Sequence, residues 1–382
     1  MPKLDFIYFD AGGGHRAAAT ALKLVIDQQN RGWDVRLVNL QEMLDSMDVF
    51  RKVTGLRLQD IYNALLKRGW TLGAGPLARG MQAVIRVYHR KEVRMLEQHW
   101  RESRPDLAVS FVPHFNRAIV ESLERVLPGV PAVTVITDFA DYPPHFWIER
   151  ESRYLVCGTD RCVGQAHTLG HTDDRILRAS GMIIHPRFYE PVTADRATER
   201  RRLGLDPNRP TGLVLFGGYG AGVMRDIAER LGASGLDVQL IMICGRNDKL
   251  REELSHMSGR MPMFVEGFTK EVPYYMHLSE FFIGKPGPGS ISEALAMKLP
   301  VLVESNLWTL PQERFNAQWV RECGLGMVVR DFRREVVGAV RTLLEPGNLE
   351  RFRERAAAIN NRAVFEIADF LGAILEGSKR AV

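Results

Sequence analysis

The chain reads as two successive series of short apolar segments, each segment followed by a helix-forming stretch, and this pattern leaves few folds open. The first series is LDFIYF (4–9), VRLVN (35–39), LAVSF (107–111) and AVTVIT (132–137). The second is TGLVLF (211–216), VQLIMIC (238–244), MFV (263–265), FFIG (281–284) and VLV (301–303). Strands alternating with helices build βαβ units and parallel sheets, because a parallel neighbour needs a crossover long enough to hold a helix. Both series open alike, with a strand, a Gly-rich turn and a helix. LDFIYF runs through DAGGGH into RAAATALKLVIDQQ, and TGLVLF runs through GGYGAG into a helix pattern from Val223 to Leu231. The expected fold class is α/β, with two Rossmann-like parallel-sheet domains facing a cleft and ligands at the C-terminal edges of the strands.

A chain of 382 residues suits two domains. The first is expected over 1–188 and the second over 210–350. Residues 189–209 read as a linker, since Pro186, Pro191, Pro207 and Pro210 frame the charged block ADRATERRRLG with no apolar strand. From 351 to 382 the pattern is helical, and Phe365, Ile367, Phe370, Leu371 and Ile374 form an apolar set able to pack back on the first domain.

Cys157, Cys162, Cys244 and Cys323 form no CxxC pair and no zinc-finger spacing, so reduced thiols in a cytoplasmic protein are expected. The opening MPKLDFIYFDAGGGH predicts no signal peptide, and no apolar run approaches the ~18 residues of a spanning helix. The formal charge of +5 is mild, but its distribution is not. Between Asp48 and Met95 ten basic residues stand against three acidic ones, mixed with Val49, Phe50, Leu56, Leu58, Ile61, Trp70, Leu72, Leu77 and Met81. Such a basic, amphipathic stretch suits an anionic lipid surface or a solvated helical lobe. It has no RNP-like aromatic pattern and no reading helix, so no nucleic-acid partner is expected.

Four segments carry chemistry. In DAGGGHRAAA (10–19), consecutive glycines including Gly13 and Gly14 allow a ligand close to bare backbone at a helix N-terminus, which suits an anion. His15 either caps that turn or acts as a general base. The segment is not the GxGxxG dinucleotide fingerprint, and NAD is disfavoured. GGYGAG, with Gly217 and Gly218, lacks the Lys-Ser/Thr of an ATP-binding loop; it is a turn packed under a helix or a loop near phosphates. KPGPGSISEALAMKLPVLVESN (285–306) joins a strand to a helix expected to start at Ser290 or Ser292, either acting as N-cap. There Glu293 either completes the helix start or accepts hydrogen bonds from a ribose. In LPQERFNAQWV (310–320), Gln312, Glu313 and Asn316 are a polar cluster suited to hexose hydroxyls or to a solvated helix start.

Taken together and in order, these segments resemble glycosyltransferases of the GT-B architecture, in the family of monogalactosyldiacylglycerol synthases and bacterial diacylglycerol glucosyltransferases (glycosyltransferase family 28-like). DAGGGHRAAATAL, TDFADYPPHFW (137–147), YLVCGTD, SGMIIHPRF (180–188), CGRNDKL (244–250), VEGFTKEV (265–272), KPGPGSISEAL and the Q-E-x-x-N of Gln312, Glu313 and Asn316 carry the likeness. Pro311 departs from it, standing where the family more often has glycine, and GGYGAG is slightly altered.

The resemblance implies that Glu293 binds the ribose of a UDP-sugar, that Gly289, Ser290 and Ile291 hold its pyrophosphate by their backbone, and that Pro288 also belongs to the donor site. It places Phe268 and Thr269 against the uracil, Arg246 and Asn247 near the nucleotide, and Gln312 and Glu313 on the sugar. His15, helped by Asp138, would take the acceptor proton, with His145 and Trp147 lining the acceptor side. The implied activity is inverting transfer of a hexose from UDP to a lipid hydroxyl, foremost diacylglycerol. No metal or other cofactor is obligatory in this reading, since no DxD motif ends a strand and the UDP-sugar is a co-substrate. Peripheral association with the inner face of the cell membrane follows. A polyprenyl-linked acceptor, a UDP-sugar epimerase and a non-catalytic UDP-sugar sensor are the rival readings.

Overall fold

The computed structural model describes residues 1–10, 13–45, 74–142, 144–257 and 261–380, with only the backbone described for 44–45, 74–88 and 378–380. The chain forms two compact units. Unit 1 is Met1–Pro186, Leu310–Gln312 and Asn361–Val382, and unit 2 is Arg187–Thr309 and Glu313–Asn360.

In chain order the first elements are β1 (Lys3–Tyr8), α1 (Gly14–Gln28), β2 (Asp34–Asn39), α2 (Leu40–Asp45) and α3 (Ala74–Ser103). They are followed by β3 (Leu107–Ser110), α4 (Asn116–Val126), β4 (Ala132–Val135), β5 (Tyr154–Cys157), α5 (Asp160–Thr168) and β6 (Ile176–Arg178). The six strands make one parallel sheet in the order β2-β1-β3-β4-β5-β6. Strand β1 lies inside the sheet, next to the edge strand β2, so the connections reverse direction between β1 and β3. That reversal opens a crevice at the C-terminal ends of those strands.

The next elements are α6 (Arg196–Arg202), β7 (Thr211–Leu215), α7 (Val223–Ala233), β8 (Gln239–Ile243), α8 (Asp248–Ser255), β9 (Met263–Glu266) and α9 (Val272–His277). Then come β10 (Phe281–Gly284), α10 (Pro288–Ala296), β11 (Val301–Glu304), α11 (Pro311–Glu322), β12 (Gly326–Val329), α12 (Phe332–Leu343), α13 (Asn348–Ala357) and α14 (Ala363–Arg380). The second sheet is parallel throughout, in the order β12-β11-β10-β7-β8-β9. This is the 3-2-1-4-5-6 order of a dinucleotide-binding sheet, and its reversal lies between β7 and β10. The first sheet differs in having, among the described residues, no strand beyond β2 and one more strand on the side of β6.

Burial on both faces explains the near-continuous apolar strands. All of TGLVL in β7 is buried, as are FFIG in β10 and QLIMI in β8. At Gly212 a Cβ would sit 2.6 Å from the Phe281 ring, so the absent side chain lets β10 close on β7. Helices cover the sheets with periodic stripes: α1 buries Ala18, Ala19, Ala21, Leu22, Val25 and Ile26, at the three- and four-residue spacing of one helix face.

Residues 189–209, read as a linker, hold α6 and are fastened to unit 2. Arg200 is buried, and its Nη2 lies 2.7 Å from both oxygens of Glu280. Arg196 pairs with the same carboxylate, which also accepts the Thr211 N–H at 2.7 Å. The C-terminal stretch is two helices rather than one. Helix α13 stays with unit 2, whereas α14 packs on α1 in unit 1, where Arg31 Nη1 donates to the Ala368 carbonyl at 3.0 Å and Glu366 accepts the Ser180 N–H at 2.7 Å.

Candidate active site

In unit 1 the candidate residues gather where β1, β3 and β4 end. Gly13 takes φ 82°, a left-handed conformation natural to glycine, and hands the chain to α1 at Gly14. At neither glycine would a Cβ meet another atom within 4 Å, so their bareness serves the open space above the helix start rather than internal packing. His15 follows in the first turn. Its Nδ1 lies 3.2 Å from Thr137 Oγ1, its ring centroid is 5.6 Å from that of Trp147, and it also bonds to the Phe111 backbone. Burial lowers the imidazole pKa to about 4, against a smaller upward pull from the Phe111 bond. His15 is therefore neutral at pH 7, the form in which a ring nitrogen accepts a proton.

Trp147 Nε1 donates to Asp138 at 2.8 Å, so the structure brings His15, Trp147 and Asp138 together. Trp147 itself is fully buried. The expected lipid-lining role is corrected: it has no face open to an acceptor, and it orients Asp138 and backs His15. His145 is exposed, at the unusual φ of 62° for a residue with a side chain, and its N–H donates to Asp141 Oδ2 at 3.0 Å. The buried Asp141 also accepts the Trp147 N–H at 2.7 Å, so this one carboxylate holds the backbone of both His145 and Trp147. Neither Thr137 nor Asp141 stood out in the sequence beyond its place in the TDFAD run.

In unit 2 two loops meet at the β7/β10 reversal. The turn from Gly217 to Gly222 interlocks with the turn after β8. Arg246 N donates to the Gly218 carbonyl at 2.8 Å, and a Cβ at Gly245 would lie 2.4 Å from that same oxygen. Asn247 caps α8, accepting the Leu250 N–H at 3.0 Å, and its amide reaches the Tyr219 carbonyl at 3.3 Å. The Arg246 guanidinium stacks 4.8 Å over the exposed Phe268 ring. Arg246, Asn247 and Phe268 thus form one surface, with Thr269 next in the chain and fixed by its bond to the Glu271 N–H at 3.0 Å.

The second loop follows β10. Helix α10 begins at Pro288 with Gly287 as its N-cap, and no side chain caps it. Ser290 and Ser292 lie inside the helix, which corrects the expected cap. Proline fits the first helical position because its missing N–H would be unpaired there. The Ile291 N–H already bonds to the Gly287 carbonyl at 3.1 Å and its side chain is buried, so Ile291 has no backbone donor to offer a phosphate. Gly289 and Ser290 do, since the second and third helical N–H groups have no partner within the helix. A Cβ at Gly289 would meet nothing within 4 Å.

Glu293 sits on the next turn, and burial raises its pKa to about 7. Glu313, in the first turn of α11, is buried and accepts a hydrogen bond from Lys285 Nζ at 2.9 Å. The Lys285 stem also runs beside both glycine loops: its Cε lies 3.4 Å from a Cβ position on Gly287 and 3.8 Å from one on Gly217. Lys285 is the cation at this crossing. In the sequence it is one residue of a Gly/Pro run that reads as a turn. Asn316 is fully buried, and its Nδ2 donates to the Pro286 carbonyl at 2.8 Å. That corrects its expected contact with the sugar: it holds the 285–288 loop against α11. Gln312 is half-buried beside Glu313 on that helix.

The basic segment 48–95 expected to meet a membrane lies outside the described residues over 48–73, with only backbone described for 74–88. Among the described residues no helix is long and apolar enough to cross a membrane.

Two parallel-sheet units, each with its glycine turn at the strand reversal, define the GT-B class. The crystal structure of Acinetobacter baumannii MurG shares this fold with a TM-score of 0.63 over 97% of this chain and all of that one, at 12% identity. The model of the glycosyltransferase family 28 C-terminal domain matches residues 213–365. Monogalactosyldiacylglycerol synthase 3 of Arabidopsis thaliana is 30% identical over 84% of this chain and 70% of its own length. Monogalactosyldiacylglycerol synthase 1 of the same plant is 28% identical over 85% of this chain, which spans 61% of that relative. The chain belongs to the monogalactosyldiacylglycerol synthase family of GT-B glycosyltransferases.

Proposed function

We propose that the protein transfers a hexose from a UDP-sugar to a lipid hydroxyl, foremost that of diacylglycerol, with inversion at the anomeric carbon. The observation that carries this reading is the crossing at the β7/β10 reversal. There the open N–H groups of Gly289 and Ser290, the Lys285 ammonium and the carboxyl of Glu293 lie on one loop and helix. A diphosphate held by the two N–H groups and Lys285 has its growing charge met by donors already in place, so departure of UDP needs no metal. Glu293 accepts hydrogen bonds from the ribose, and Phe268 with Arg246 offers the uracil a flat partner. Gln312 and Glu313 read the sugar. On the acceptor side, neutral His15 takes the hydroxyl proton through a ring nitrogen while Thr137 and Trp147 hold the ring. Asp138 steadies the resulting imidazolium.

The test is UDP release from a panel of UDP-sugars, with and without diacylglycerol in vesicles and with and without a chelator. The expected result is lipid-dependent release with one sugar, insensitive to chelation and lost in His15→Ala. Release of an altered UDP-sugar would indicate an epimerase, and donor binding without turnover on any lipid would indicate a sensor. Either outcome overturns the transferase.

A further inference from the structure

We propose that the loop joining β11 to α11 is a lipid-docking tip: Leu307 and Trp308 enter the interfacial layer of a phospholipid bilayer, and Arg314 meets the lipid phosphates. Leu307 is 73% exposed and Trp308, its neighbour, 51%. Two large apolar side chains side by side at a loop end are a different matter from scattered exposed apolar residues, which need no explanation.

The tip is built to hold them out. Asn306 anchors its base, donating from Nδ2 to Glu304 at 3.0 Å and to the Arg330 carbonyl at 2.9 Å. The Asn306 Oδ1 accepts the Trp308 N–H at 2.8 Å, and Thr309 Oγ1 accepts the Asn306 N–H at 2.9 Å. These bonds close a compact turn around Leu307 and Trp308, so little ordering entropy remains to be lost when the pair is buried elsewhere.

Arg314 supplies the charge. Its Nη2 donates to the Leu307 carbonyl at 3.1 Å and its Nε to the Thr309 carbonyl at 3.2 Å, which fixes a cation directly under the apolar pair. The side chain is exposed, and among the described residues no carboxylate lies within ion-pair distance of it. Indole, apolar over its ring and polar at one N–H, partitions to the headgroup level of a bilayer, and arginine is attracted by the phosphates there. A protein partner is the poorer match, because a stable interface takes about 800 Å² from each side and two side chains supply only a fraction of that. A bilayer asks only for one or two inserted anchors with cations beside them. The next helix begins at Pro311 and carries Gln312 and Glu313, so a docked tip keeps that helix start close to the headgroups.

The experiment is co-sedimentation with vesicles of phosphatidylglycerol and phosphatidylcholine containing neither diacylglycerol nor any sugar nucleotide, so its outcome does not depend on the transferase reading. The double variant Leu307→Ser/Trp308→Ser is expected to bind at least about tenfold less tightly than the parent chain. In a chain carrying Trp70→Phe, which removes the indole of the basic 48–95 stretch, brominated lipid is expected to quench tryptophan emission, and adding Trp308→Phe to lose that quenching while keeping vesicle binding within about twofold, since Phe preserves the apolar ring. The Phe arm stands even if the double variant fails to fold. Vesicle binding equal in parent and double variant, or quenching that survives Trp308→Phe, overturns the proposal, as does a parent chain that does not bind these vesicles.

Discussion

Lys285 Nζ and Glu313 Oε1 lie 2.9 Å apart, joining the loop after β10 to the first turn of α11. The ammonium head is partly open to solvent while the carboxylate is almost wholly enclosed. This ion pair links the residue proposed to meet the departing diphosphate with one proposed to read the sugar. Replacing Lys285 by Met is expected to lower kcat for UDP-sugar turnover by about 10²–10³-fold, the usual loss when one donor to a developing oxyanion is removed. Lys285→Arg should recover part of it, because charge returns without the same reach. Steady-state kinetics with the donor identified by the sugar panel is the check; an unchanged kcat in Lys285→Met would remove Lys285 from the chemistry.

Gly289 offers a separation of stability from binding. Nothing in the protein occupies the space a Cβ would take there. Ala is also a better helix residue than Gly by up to about 1 kcal/mol. Gly289→Ala should therefore leave Tm level or slightly raised. The added methyl group would stand at the helix N-terminus assigned to the pyrophosphate, so Kd for UDP should rise by about 10-fold or more. Calorimetric titration with UDP, read beside a thermal melt, decides it.

Glu293 makes a pH-dependent prediction. Its carboxyl pKa in the folded protein is about 7, raised by burial from an ordinary value of 4.5. Between those two values the folded chain holds a proton that the unfolded chain has released, so this group's contribution to stability declines as pH rises and is fully lost above the folded pKa. Glu293→Gln, which has no proton to lose, should match the parent near pH 4.5 and exceed it by about 1–3 kcal/mol at pH 8. The same variant should bind UDP more weakly, because the amide presents one acceptor where the carboxylate presents two. Denaturant melts at the two pH values test the first part; a stability difference that does not grow with pH would contradict it.

Glu280 holds α6 to the second sheet through Arg200, Arg196 and the Thr211 N–H. Glu280→Ala leaves the buried Arg200 guanidinium without its carboxylate, a loss of about 3–5 kcal/mol. Urea unfolding should show this as a lower midpoint, and Glu280→Gln should restore only a minor part, since the amide keeps one acceptor and no charge.

The glycine turns, the strands around them and the residues on the loops were legible from sequence because each depends on local chemistry. A run such as FFIG followed by KPGPGS can only be a buried strand entering a turn. Strands β5, β6 and β12 were harder. YLVC and ILR are four- and three-residue strands whose pairing depends on neighbours far along the chain, and GMVV is an edge strand that follows a turn. Their place in the sheets is a property of the whole fold rather than of their own composition.

In the candidate site, sequence gives the residue types but not the direction in which they point. Asn316 and Trp147 belong to motifs that carry polar and aromatic chemistry, yet both face inward and support residues that face out. Sequence spacing places a side chain on an element; only packing decides which side of a loop it braces. Lys285 is hard to single out for the converse reason: it sits in a Gly/Pro run that reads as turn, and only the fold brings three segments together on its side chain.

Helix α14 rests on α1, with Arg31 reaching the Ala368 carbonyl. The hydrophobic cover of α1 thus comes from residues that follow the whole of unit 2 in the chain. During synthesis, unit 2 can fold as it emerges, whereas α1 stays partly bare until the residues beyond Asn361 have left the ribosome. The unit that begins first is completed last, and in the interval its apolar surface is open to chaperones and to other nascent chains.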